Sequence, residues 1–236
     1  MKNLSRMGGP HWLALYIGLI ACWVAVFAMS TDAGVATALR DICRLPVDAL
    51  GVGGALAMWL IMSAAMMLPT AIPAFATHDQ IADSQGTGGG ARLVSGYVTV
   101  WIGFSVVAAL VQLSVADLGQ IDGPWFAAAL LILAGAYQFS ALKDACLSKC
   151  RQPLTFFMGH WAEGPWRMGL RLGAVCLGCC WALMALGLIG GTMSLGFMAL
   201  ATILMTLEKL SRGALVPNAI GLGCLVGAGY LIGGTI

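Results

Sequence analysis

Six stretches of this chain contain no Asp, Glu, Lys or Arg: residues 7–31, 49–77, 93–116, 123–142, 172–207 and 213–236. Each is about as long as the ~20 apolar residues that a helix needs to cross a bilayer, where every backbone polar group must be satisfied inside the segment. Composition agrees, at 60% hydrophobic and 9% charged residues with a mean hydropathy of +0.90. The stretch 172–207 is long enough for two spans, and Gly187, Gly190 and Gly191 supply a turn near its middle. The expectation is an all-α polytopic transmembrane helix bundle in the lipid bilayer, one domain over residues 1–236, with seven spanning helices.

Basic residues bias short loops toward the cytoplasm. With the N-terminus inside, Lys2, Arg6, Arg92, Lys143, Lys149, Arg151, Arg167, Arg171, Lys209 and Arg212 fall on the inner side and Arg40 and Arg44 outside, ten against two. That asymmetry decides the orientation. Lys2 and Arg6 before an apolar stretch, with Ala28-Met29-Ser30 after it, also have signal-peptide character, although the stretch is long for that role. Removing it would leave the remaining orientation unchanged.

Within this apolar frame sulfur is concentrated. Three of the eight cysteines fall within five residues, in the string CLGCCWALM that runs from Cys176 to Met184. On a helix Cys176, Cys180 and Met184 follow at four-residue steps and Cys179 joins at a three-residue step, so one face carries soft ligands. Cys146 and Cys150, four apart, place two more thiols side by side on a helical turn of the inner segment 143–167. Phe156, Phe157, Trp161 and Trp166 set that segment against the membrane interface, and Lys143, Lys149 and Arg151 surround its thiols with positive charge. Met58, Met62 and Met66 form a stripe on the second helix with Met67 beside it. At a rise of ~1.5 Å per residue, Met66 and Cys180 both lie roughly 13 Å from the inner face. Pro69 and Pro73 remove backbone donors from the same helix and leave carbonyls that need another partner.

Each feature alone has an ordinary structural reading, since methionine fills cores and cysteine serves as a small interface residue. Cys22, Cys43 and Cys224 are read that way, His11, His78 and His160 as histidines outside the site, and Glu208-Lys209 as an interface anchor. Gly223 and Gly227 are read as a close-packing pair. The coincidence of two cysteine groups and a methionine stripe toward one side points instead to a metal. Soft thiolates and thioethers select Cu(I). Four thiolates on Zn(II) would leave a charge of −2 where a single charge costs about 2.5–3.5 kcal/mol on insertion scales. Cu(I) on one thiolate and neutral thioethers is uncharged, so copper is favoured over zinc. The chain has no Gly-Lys pair and therefore no P-loop, and neither a nucleotide nor a nucleic-acid partner is expected.

Five strings occur in order: MWLIMSAAMMLPTAIP, GYVTVW, YQFSALKDACLSKCRQPLTFF, RMGLRLGAVCLGCCWALM and EKL. Over roughly Met58 to Leu210 the chain resembles the bacterial DUF2182 family of predicted metal-binding integral membrane proteins, which includes a membrane copper chaperone associated with a bacterial tyrosinase. The resemblance implies an inner-membrane location, Cu(I) binding and copper supply to a copper-dependent oxidase or tyrosinase-like partner. The residues it implies are Cys176, Cys179, Cys180, Cys146, Cys150, Met62, Met66 and Met67. Related sequences commonly carry His before the glycine numbered Gly173 here; this chain has Leu172, which leaves a sulfur-only site.

The expected function is therefore a copper chaperone or maturation factor and not a catalyst. Cys146 and Cys150 are expected to form a separate access station, with the deeper cysteines as the holding site. The alternative is a membrane thiol-disulfide oxidoreductase in which Cys146/Cys150 and Cys176/Cys179 exchange a disulfide. Both pairs would then face the reducing side, and the methionines would have no part in it. An ion-coupled transporter is disfavoured, because no Asp, Glu or Lys lies within an expected span.

Overall fold

The computed structural model describes residues 10–30, 47–117, 124–188 and 195–234. Arg40, Cys43, Arg44, Gly190, Gly191 and Met193 lie outside them, as does the side chain of His11. The described elements are helical: α1 (Pro10–Ser30), α2 (Val47–Ser84), α3 (Gly90–Asp117), α4 (Pro124–Gln138), α5 (Ala141–Arg151), α6 (Pro153–His160), α7 (Pro165–Ala185), α8 (Leu195–Leu210) and α9 (Leu215–Gly233). Gly51, at φ +58°, interrupts α2 near its start. Among the described residues, four helices are long and apolar enough to cross a membrane: α2 from Gly51, α3, α7 with its short 3-10 extension to Leu188, and α9. The pair α4 and α5 makes a fifth if its 63° bend is one broken span.

That bend departs from the expected straight helix over 123–142. Backbone helix stops at Gln138, and Ser140, in an extended conformation, caps the next helix by accepting from the Lys143 N–H. Serine is a strong N-cap, so a single residue restarts the chain in a new direction. The segment after it is helical. It folds into α5 and α6, and Phe156 and Phe157 are buried.

The core lies where α7 meets α3, α5 and α2's partner surface on α3. A Cβ on Gly169 would stand 2.1 Å from the Leu93 carbonyl oxygen, and one on Gly96 would stand 2.4 Å from that of Trp166. Only hydrogen fits there. Gly173 is likewise pressed onto the Tyr97 carbonyl and Val100. Between α4 and α9 the tight glycines are Gly135 and Gly221. Gly223 meets nothing within 4 Å and Gly227 only Leu131, so the expected close-packing pair is not the one used.

Pro69 and Pro73 stay inside a continuous α2. Pro69 cannot donate to Ala65, four residues back, and the freed carbonyl accepts instead from Trp23 Nε1 of α1 at 3.0 Å. Polar side chains pair across α2 and α3: Trp59 donates to Gln112 at 2.6 Å, and Ser63 meets Ser105 at 3.1 Å.

A buried ion pair fastens α5 to α8. Lys143 Nζ lies 2.8 and 2.9 Å from the two carboxylate oxygens of Glu208, both side chains being 1% exposed. Arg151, at the other end of α5, donates to the Glu208 carbonyl at 2.9 Å and to Ser211 at 3.4 Å. Glu208 was expected at the interface, yet it continues the buried stripe of Met198, Ala201 and Met205.

Two outcomes follow from this packing. Gly169→Ala should force α3 and α7 apart and cost about 1–3 kcal/mol, whereas Gly223→Ala should leave the melting temperature of the purified protein unchanged. Lys143→Met should cost about 3–5 kcal/mol by leaving Glu208 buried and unpaired, and Lys143→Met with Glu208→Met should recover most of it. Thermal unfolding in detergent reads both.

Candidate metal centre

The sulfur face of α7 forms because its buried residues recur at helical spacing: Met168 and Gly169, Leu172 and Gly173, Cys176, Cys179 and Cys180, Leu183. Cys176, Cys179 and Cys180 are each 2% exposed or less. Their sulfur atoms all lie within 4.8 Å of one another. Two metal–sulfur bonds of about 2.3 Å span at most ~4.6 Å, so one soft ion brings these sulfurs together with little rearrangement. Cys179 and Cys180 are 3.2 Å apart, and Cys179 donates its thiol proton to the Cys176 carbonyl at 3.1 Å.

Cys150 joins them. Its sulfur is 3.8 Å from that of Cys179, because α5 packs directly against α7. Cys146 sits over Gly178, where a Cβ would stand 2.6 Å from its sulfur. The same backbone residue accepts from the Tyr137 hydroxyl through its carbonyl. Cys150 thus lies beside the α7 cysteines, while Cys146, a helical turn earlier on α5, lies over Gly178. Of the three positive charges expected around Cys146 and Cys150, Lys143 and Arg151 are held by Glu208 and its neighbours.

Sequence reading missed the groups that surround Cys176. The Tyr97 hydroxyl bridges the Met67 carbonyl, at 3.1 Å, and Cys176 Sγ, at 3.2 Å. Lys209 Nζ lies 3.1 Å from the same sulfur and donates to Thr70 Oγ1 at 2.6 Å. Thr70 in turn donates to the Met67 carbonyl at 2.9 Å. Helices α2, α3, α7 and α8 thus converge on one sulfur atom. The available signal was positional, since Tyr97 lies four residues from both Leu93 and Trp101 on one face of α3.

The methionines of α2 are all buried. Met67 is level with Cys176 through the tyrosine bridge. Met62 lies farther along, its thioether about 3.5 Å from where a Cβ on Gly187 would be. Gly187 is two helical turns beyond Cys180. Cys22 and Cys224 are half-buried on α1 and α9. His78 is buried, 3.1 Å from Asp79, and packed against Phe157 and Trp161. His160 holds the Phe156 carbonyl at 2.8 Å. Among the described residues, the metal-ligating side chains gathered in one place are those of Cys176, Cys179 and Cys180.

Comparison with curated proteins and with solved structures returned no match. A family model, PpoB2, described as a copper chaperone, matches residues 56–231. That span runs from Leu56 in α2 to nearly the end of α9, and takes in every residue of the sulfur cluster and the groups around Cys176. Thiols are soft ligands and suit a soft metal ion such as copper. The chain belongs to the PpoB2 family of copper chaperones.

Proposed function

We propose that the protein is a membrane Cu(I) chaperone that holds the ion within the cluster of Cys176, Cys179, Cys180 and Cys150 and passes it to a copper-dependent enzyme. The observation that carries this reading is the set of three buried thiols within 4.8 Å of one another, with a fourth 3.8 Å from Cys179. Buried thiols retain a soft ion, and adjacent sulfurs allow stepwise ligand exchange, which is how an ion leaves without ever being free. Cys146, half-buried beside Gly178, is the next sulfur outward. Met62, Met66 and Met67 supply neutral thioethers along α2, and thioethers favour Cu(I) over harder ions.

The membrane setting is part of the proposal: seven spans in a bacterial inner membrane, the N-terminus and residues 143–167 on the cytoplasmic side, and an oxidase or tyrosinase-like enzyme as recipient. The basic asymmetry supports this orientation. The broken pair α4 and α5 then runs from the outer side to the inner face and brings Cys150 to the cluster.

Metal analysis of the reduced, purified protein tests the ligands. Replacing Cys176, Cys179 and Cys180 by Ser should abolish bound copper, and copper retained by that variant would refute the site. Met62→Leu with Met66→Leu should weaken Cu(I) binding while leaving the fold intact, because the two side chains are similar in volume. Topology is checked by reporter fusions after Gln152 and after Ile236, expected to read cytoplasmic and periplasmic in turn. A periplasmic signal after Gln152 would place the cluster's access on the opposite side.

A further inference from the structure

Lys209 brings a positive charge to a cluster of otherwise uncharged composition. Its ammonium is 3.1 Å from Cys176 Sγ and 2.6 Å from Thr70 Oγ1. The neighbouring carboxylate does not neutralise it, because Glu208 turns to the other side of α8 and is occupied by Lys143 at 2.8 and 2.9 Å. Arg151 is likewise drawn to the Glu208 carbonyl and Ser211. Among the sulfurs, Cys176 alone receives the ammonium and lies against the Tyr97 hydroxyl, whose own proton goes to the Met67 carbonyl, whereas Cys179 donates its proton to a carbonyl.

Cysteine binds metal as the thiolate, so the charge of the loaded site is set by how many thiols give up a proton. One monovalent ion on two thiolates carries −1. In buried, weakly polar surroundings that excess is poorly screened. An ammonium within hydrogen-bond distance of one of the two thiolates brings the total to zero.

We propose that Lys209 is the built-in counter-charge of the loaded cluster, so that the cargo is a single monovalent soft ion held by two thiolates, one of them Cys176. This rests on the reading of the cluster as a Cu(I) site. It makes Lys209 a positioning residue that never touches the ion: it orients Cys176 and stabilises the loaded state over the empty one.

The test is Cu(I) affinity, measured under anaerobic conditions by competition with a chromophoric chelator, in the full-length protein and in Lys209→Arg, Lys209→Met and Lys209→Glu. Ag(I) serves as a second monovalent probe. Lys209→Arg should stay within a few-fold of the parent. Lys209→Met should bind roughly 10- to 100-fold more weakly, the range typical of groups that support metal ligands, and Lys209→Glu more weakly still. Melting temperatures of the same samples separate folding from charge, and if Lys209→Glu does not fold, the Arg and Met variants decide. Equal losses for Met and Glu would show a mere tether, and an unchanged Met variant would remove Lys209 from the site. Two ions per chain in the parent would also overturn the proposal. Failure of the parent itself to bind Cu(I) would instead sink the chaperone reading.

Discussion

How closely α3 and α7 approach decides where everything else in the bundle stands. Helices in an apolar medium gain little from burying more apolar surface, and they associate through close packing and hydrogen bonds. Gly96 and Gly169 let the two backbones touch, with Gly173 extending the contact by one turn. Tyr97 follows Gly96 directly, and Cys176 lies three residues after Gly173. The phenol can therefore bridge from Cys176 to the Met67 carbonyl of α2. A wider crossing would leave the hydroxyl short of the sulfur and α2 without that link.

Much of this was legible in the residues. Helical spacing alone put Cys176, Cys179 and Cys180 on one face of α7, and they are buried together. Pro69 announced an orphaned carbonyl, and Trp23 answers it. What stayed hidden depended on neighbours. Gly169 and Gly173 have the same spacing as Gly223 and Gly227, so pattern could not say which pair meets another backbone and which faces open space. The run 123–142 is evenly apolar, and its bend hangs on the capping preference of Ser140. Charges were read as boundaries, so Lys143, Glu208 and Lys209 were set at the rim. The stripe Met198, Ala201, Met205 and Glu208 already carried the correction, since its steps of three and four turn Glu208 inward.

Buried charge in this protein is arranged in matched sets. Lys143 and Arg151 converge on Glu208, one on its carboxylate and one on its carbonyl. Such a pair adds less stability than its closeness suggests, because both ions were better solvated in water. Its return is geometric. Holding both ends of α5 against α8 fixes the helix on which Cys150 rides, and so fixes a sulfur from a separate segment beside three from α7.

Glu208 and Lys209 are consecutive, and on a helix consecutive side chains point about 100° apart. One therefore reaches α5 while the other reaches Cys176. The last turn of α8 acts as a mechanical yoke. A rotation or slide of that single turn moves the fastening of Cys150 and the ammonium on Cys176 together. An encounter that disturbs the α8 terminus would thus reach the cluster without inserting anything between its sulfurs.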